Sequence, residues 1–340
     1  MLEKYIRNLQ WITNKTQNWL IKEDEDDLGF GIDPFKRPPE MYIKYGVVNL
    51  DKPPGPTSHQ VASWVKRVLS VSKTGHGGTL DPKVSGVLPI GLERSTIVMR
   101  YIIGAAKEYI GLIHFHDAVP LSEIEKVFSM FKGPIYQRPP QRSSVRRKLR
   151  TKNIYSLKIL EIEGRNVLFN IVCESGFYVR KFAHDVGLIL GCNAHLSELR
   201  RIRAGPFDEH THLTTLYELT KAYYEWKEKH NFNEIRKVIM PLEIVFRDYP
   251  KIIIKDTAVA SVIYGAQLKA PGVLAVTDDL KKNSRAALIT KKGELVAVVH
   301  ALYDAKTIND LKKGEVTKTE RVIMEKGIYP PLWRNCGKIT

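Results

Sequence analysis

Apolar residues recur along this chain with two different periods, and each period predicts an element. Leu2, Ile6, Leu9 and Ile12 have a rough helical spacing at the N-terminus. The acidic run Glu23 to Asp27 follows and reads as a solvated face or linker. Residues 30–46 are broken by proline and glycine and should run extended. Gly46 to Leu50 reads as a buried strand stopped by Pro53, Gly55 and Pro56. Thr57 or Ser58 then offers an N-cap for a helix carrying Val61, Val65, Val68 and Leu69 on one stripe, with Lys66 and Arg67 off it. Alternation on both sides of Gly164-Arg165-Asn166 predicts a hairpin. Val179, Phe182, Ala183, Val186 and Leu190 then share a helical face, with Arg180 in the first turn off that face.

The texture changes near Arg247–Tyr249. A short helix capped by Asp256, a Gly/Pro turn, a strand and a hairpin turning at Lys292-Gly293 suggest a small β-barrel-like module. The chain therefore divides into an N-terminal extension (1–44), a central domain (45–247) and a C-terminal module (248–335). The extension is expected to pack on the module.

Composition sharpens this picture in one direction. With 340 residues and 43% hydrophobic content, the chain can build a sizeable core. Its 53 Lys and Arg against 37 Asp and Glu give a formal charge of +16, which favours a polyanionic partner, nucleic acid ahead of membrane. Three scattered cysteines exclude a disulfide framework and a zinc knuckle and fit a reducing compartment. His114/His116 and His210/His212 are His-x-His pairs; lacking an evident third ligand, they read as alternate strand or loop positions. No apolar run approaches the roughly 20 residues of a membrane helix, and the N-terminus lacks the features of a signal peptide. A cytoplasmic protein is expected.

The charge is concentrated. Between Glu125 and Glu161 there is no acidic residue, and that window holds Arg138, Arg142, Arg146, Arg147, Lys148, Arg150 and Lys152. Unpaired guanidiniums cannot enter a core, so this segment fits a phosphate backbone. A second basic knot comprises Arg200, Arg201 and Arg203. Asp81 stands apart as a candidate for chemistry. Gly77-Gly78 precede it and allow close backbone approach, and Pro82 restricts its own backbone. Beside a cation, such a carboxylate would act as nucleophile or general base.

Several segments, in order, resemble the motifs of the TruB-like pseudouridine synthases. "GHGGTLDP" resembles the catalytic motif, "NLDKPPGPTSHQV" the first motif, "AKEY" the motif bearing a tyrosine and "GFYVRKFAHDVG" the motif bearing an arginine. "QRPPQRSSVRRKLR" resembles the RNA-gripping thumb, "AHLSELRRIRAGPF" a late site motif, and the tail a PUA domain. The likeness spans about residues 30 to 335 and is greatest to the archaeal dyskerin-like branch that works with box H/ACA guide RNA. The chain after Tyr109 lacks the longer segment with which bacterial members help hold tRNA.

The resemblance implies a mixed α/β fold: a catalytic domain with a mainly antiparallel central sheet, plus a PUA barrel. It implies that Asp81 is the catalytic carboxylate, Arg180 its partner and Tyr109 the ring stacked on the target base. His76 would fill the space left by the flipped uridine. Lys52 and Pro53 would support the active-site loop, and Leu199 would line the pocket; these three and His76 are grouped with the RNA-binding residues. Arg142, Arg146, Arg147, Lys148 and Arg150 would grip RNA. No metal or organic cofactor is implied. The implied partners are guide RNA, substrate RNA and three small accessory proteins of zinc-ribbon, glycine/arginine-rich and kink-turn-binding types. Two rivals remain: a stand-alone tRNA enzyme and a catalytically silent RNA scaffold. A glycosidase or nuclease would want a second carboxylate or a metal cluster.

Overall fold

The computed structural model describes residues 2–139 and 146–331, which form two compact units. Residues 43–240 make one. Its elements in chain order are β1 (Gly46–Lys52), α1 (Ser58–Val68), β2 (Thr74–His76), β3 (Ser85–Leu92), α2 (Met99–Ile103) and β4 (Lys107–Phe115). There follow α3 (Leu121–Met130), β5 (Gly133–Gln137), β6 (Arg150–Glu163), β7 (Asn166–Cys173), α4 (Val179–Ile189), β8 (Ala194–Ala204), β9 (Leu213–Thr214) and α5 (Leu216–Lys229).

The sheet order is β9-β1-β3-β8-β4-β7-β6-β5, with β2 also on β3. Most neighbours are antiparallel; β1–β9 and β3–β8 are parallel. The hairpin at Gly164-Arg165 forms as its alternation predicts, and Gly164 takes the positive φ of 56° that the turn demands. α1 begins where its cap predicts. The Thr57 hydroxyl accepts from Gln60 N–H while the Gln60 side chain accepts from Thr57 N–H, a closed capping box. α3 and α4 cover the sheet through Phe128, Phe169 and Phe182, whose rings meet edge to face at 5.6 and 6.1 Å.

The other unit comprises, of the described residues, 2–42 and 241–331. Its six strands run in the order 19–21, 273–277, 251–254, 285–289, 295–301, 317–322. The N-terminal strand is an edge of this sheet, with Trp19 opposite Thr277. Local rules fail most often here. The first helix ends at Asn8, although Leu9 and Ile12 beyond it are buried. Residues 34–36 and 39–44 are helical turns rather than extended chain, each starting at a proline whose missing N–H costs nothing there. Asp256 is the first residue of its helix rather than its cap. Its N–H is accepted by Glu25, and its carboxylate lies 3.2 Å from Lys291. The acidic run is thus partly built in: Glu25 pairs with Lys291 at 3.1 Å and Asp27 accepts from Tyr5. Among the described residues no helix is long and apolar enough to cross a membrane.

Candidate active site

Asp81 stands at an exposed position in the loop between β2 and β3, and a set of buried donors fixes that loop from beneath. Lys52, fully buried at the end of β1, donates through Nζ to the carbonyls of Pro53 (2.8 Å), Pro82 (2.9 Å) and Val84 (2.8 Å). Burial lowers the Lys52 pKa, and the nearby Asp81 charge opposes that shift. Lys52 therefore points into the loop and away from solvent, in keeping with the loop-supporting role that the resemblance implies for it. Pro53 is exposed, and its carbonyl is one of the three acceptors. The Ser58 hydroxyl, at the start of α1, accepts from Leu80 N–H (2.8 Å) and donates to Leu80 O (3.0 Å). Gly77 donates to Pro89 O at 2.7 Å, and a Cβ there would lie 2.6 Å from Ile102 Cγ2. Gly78 holds φ at 125°, a conformation that other residues rarely adopt.

Arg180, one residue into α4, donates to the Asp81 carboxylate. Both side chains are more than half exposed, so the pair adds little stability. Its effect is orientation. Residues 99 apart in sequence are brought together at one surface point.

Tyr109 lies half-buried on β4, in register with Arg201 on β8. Arg201 is 1% exposed; it donates to Val87 O (2.8 Å) and Gly78 O (3.1 Å) and reaches the Tyr109 hydroxyl. Burial raises the Tyr109 pKa, and Arg201 opposes the shift. One guanidinium thus ties the loop before Asp81, the strand after it and the tyrosine. His76, at the end of β2, has its pKa lowered by burial and by His59 and Arg201, which favours the neutral ring. Neither of its buried ring nitrogens has a hydrogen-bond partner among the described residues, and its ring meets His59 edge to face at 4.8 Å. A cavity of about 440 Å³ lined by His59, Lys66, Lys73 and His76 opens beside it. Leu199 is half-buried on β8 opposite Gly111.

The basic segments separate. Arg146, Arg147, Lys148 and Arg150 are all exposed, Lys152 is paired with Glu174 at 2.7 Å, and Arg142 lies outside the described residues. The second basic knot is mostly neutralised. Arg200 forks onto Asp51 (3.0 Å) and reaches Glu209 (2.6 Å), while Arg203 pairs with Glu108 (2.8 Å).

Family comparisons match this arrangement along nearly the whole chain. The TruB family pseudouridylate synthase N-terminal domain matches residues 66–123 and 116–179, and the tRNA pseudouridylate synthase B C-terminal domain matches 180–247. A DKCLD domain matches 7–62 and a PUA domain 250–323. A probable tRNA pseudouridine synthase B of Pyrococcus abyssi is 48% identical over 316 residues, covering 92% of this chain and 95% of the relative. The chain belongs to the TruB family of pseudouridine synthases. A TruB-family relative from Archaeoglobus fulgidus is 47% identical, covering 94% of this chain and 99% of its own length. Among solved structures, a Cbf5-Nop10-Gar1 complex aligns with a TM-score of 0.87 at 46% identity, over 94% of this chain and 98% of that one. An H/ACA RNP bound to a substrate RNA containing 2′-deoxyuridine aligns with a TM-score of 0.87 at 45% identity, over 95% and 99%.

Three residues of this site lie in the quoted motifs but have roles that the sequence reading missed. Ser58 reads as a cap, Arg201 as part of a basic patch, and Lys107 only as a neighbour of Tyr109 in "AKEY". Lys107 is buried and donates to the carbonyls of Ile102 (2.7 Å), Ile103 (3.3 Å) and Ala105 (2.7 Å), closing the C-terminus of α2 beneath Gly78. Burial pulls its pKa from 10.5 to about 7. Above that value the unfolded chain holds the extra proton, so stability rises with pH. Lys251 of the other unit, also lowered to about 7, acts in the same sense. Cys173, raised from 9.0 to about 12, opposes them above its unfolded value. The urea midpoint should therefore rise from pH 7 to 9. Lys107→Met should flatten that rise, which has a ceiling of about 1.4 kcal/mol per pH unit for each group. An unchanged slope in the variant would contradict the assignment.

Proposed function

We propose that this chain converts selected uridines of RNA to pseudouridine, with the position chosen by a box H/ACA guide RNA in a particle with small accessory proteins. The observation that carries the catalytic assignment is the clamped loop: Lys52, Ser58 and Arg201 hold the backbone on both sides of Asp81, while Arg180 orients its carboxylate. The target uridine leaves its stack to reach this point. The glycosidic N1–C1′ bond breaks, the base turns, C5 bonds to C1′, and the C5 proton moves to solvent while N1 gains one. Asp81 serves this sequence as nucleophile or base. Tyr109 offers its ring to the base, His76 occupies the vacated stack, and Leu199 lines the pocket. None of these roles calls for a metal or organic cofactor.

The guide is supported by two similar solved structures, an H/ACA RNP bound to substrate RNA and an archaeal box H/ACA sRNP Nop10-Cbf5 complex, and by the short link of residues 116–120 from β4 to α3. That link leaves little chain for independent tRNA grip. Residues 248–335 would serve as the RNA-holding PUA module, with the extension 1–44 belonging to it, in a cytoplasmic particle. The names of the curated relatives favour a second reading, a stand-alone tRNA enzyme. The deciding experiment compares conversion of tRNA by protein alone with conversion of a target oligonucleotide by protein, guide and accessory proteins. Conversion only with the guide supports the first reading; conversion of tRNA alone supports the second.

The exposed thumb residues give a separate prediction. Replacing Arg146, Arg147, Lys148 and Arg150 together with alanine should weaken RNA binding about 10- to 100-fold and lower the slope of log Kd against log salt by about 3. Filter binding at several salt concentrations measures both. An unchanged slope would remove these residues from the RNA interface.

A further inference from the structure

The outer face of α1 forms one wall of a basic groove that starts at the active-site loop. His59, Ser63 and Lys66 recur at helical spacing on that face, opposite the buried Val61 and Val65, and line a cavity of about 440 Å³. Lys73 and His76, from the chain that enters and forms β2, line it from the other side. The Thr74 hydroxyl donates to Ala62 O at 3.0 Å and holds the two walls together. Lys73 also lines a second cavity, of about 450 Å³, with Lys44 and Arg94, so two basic hollows adjoin at one side chain. At the inner end, the chain runs from His76 through Gly77-Gly78 to Asp81. We propose that this groove binds the sugar–phosphate backbone of the substrate strand beside the flipped uridine, with Lys66 and Lys73 on its phosphates. The proposal rests on the pseudouridine reading for the place of that uridine.

The charge of the groove selects a polyanion. Lys66 and Lys73 are both exposed, and among the described residues no carboxylate stands within ion-pair distance of either ammonium. Glu93 is the one carboxylate lining the two cavities, and its oxygens are already taken. It accepts from the Ser72 N–H, from the Ser72 hydroxyl at 2.7 Å and from the Lys73 N–H at 3.4 Å, which fixes the backbone that carries Lys73. A neutral imidazole carries one N–H, yet neither buried ring nitrogen of His76 has a partner among the described residues. An RNA oxygen at the inner end of the groove would accept that proton and remove the cost of leaving it unpaired. Lysine also suits the task. When a guide chooses the position, the flanking nucleotides vary in sequence, and an ammonium on a flexible stem meets phosphate as a point charge without reading a base. The groove belongs to α1 and β2, whereas Arg146, Arg147 and Lys148 lead into β6, so the two basic surfaces are built from different segments.

The test uses the full chain assembled with guide RNA and accessory proteins, with a labelled target oligonucleotide titrated at several salt concentrations. Lys66→Gln with Lys73→Gln should weaken binding of that strand about 10-fold or more and lower the slope of log Kd against log salt by about 1.4, the single-strand value for two phosphates. Lys66→Arg with Lys73→Arg should restore both. Lys126→Gln with Lys221→Gln, which removes the same charge from α3 and α5, should change neither. Target strands carrying one uncharged methylphosphonate linkage at successive positions beside the uridine locate the contact. At the contacted linkages the parent should lose about threefold or more in affinity, and the double glutamine variant should lose nothing further, since the two changes remove the same interaction. A parental salt slope in the glutamine variant, or methylphosphonate losses equal in parent and variant at every position, would overturn the proposal. So would weakened guide RNA binding with substrate affinity unchanged, which would assign the groove to the guide. A parent that shows the coupling but converts no uridine would sink the proposed activity and leave the groove standing.

Discussion

Asp81→Asn should lower single-turnover conversion of uridine to pseudouridine by at least about a thousandfold, equivalent to some 4 kcal/mol of transition-state stabilisation. Asparagine has nearly the same shape and can still accept from Arg180, so the loop and the orienting contact survive. What disappears is the negative oxygen that attacks or takes a proton. Stability should hardly change, because both partners of the pair are more than half exposed. The measurement is conversion with saturating guide and accessory proteins, beside a thermal melt of the same preparation. A rate within tenfold of the parent would remove Asp81 from the chemistry. A lost rate with a lowered melt would point to a folding defect.

Lys52→Met should have the next largest effect, through the loop rather than through the substrate. The side chain keeps its length and loses Nζ, which now bridges Pro53, Pro82 and Val84. Pro82 O retains the Gly55 N–H at 2.8 Å, while the other two carbonyls lose this donor. Leaving the carbonyl of buried Val84 without that donor costs more than the variant recovers by not burying an ammonium, for a net loss of about 1–3 kcal/mol. Loosening the backbone next to Asp81 should cost about a hundredfold in rate, since displacements near 1 Å carry penalties of that size. Lys52→Arg, which restores the charge without the fit, should rescue neither property. A variant with parental rate and stability would show that the clamp is unnecessary.

The residues lost from local view share a cause. A helix start such as Thr57, or a hairpin such as Gly164-Arg165, is set by neighbours a few positions away, so the capping box and the turn are legible in order along the chain. Glu25 capping a helix 231 positions away obeys no such rule, and the acidic run therefore reads as linker when it is partly structural. Arg200, Arg201 and Arg203 look alike in sequence. Folding gives two of them carboxylates and sends the third into the core, against the loop that bears Asp81 and against Tyr109.

By itself, then, the sequence determined the family, the order of its motifs, the strands and helices with local signals, and the identity of Asp81 as a constrained acid. Those properties rest on residue type and short spacing. The tertiary structure decided which charged groups are buried, which cations are free to meet a phosphate, and how Asp81 is held. It also set a third histidine beside the pair at 114 and 116. Each of those depends on contacts between distant segments, whose energies are settled by packing and register rather than by any neighbour along the chain.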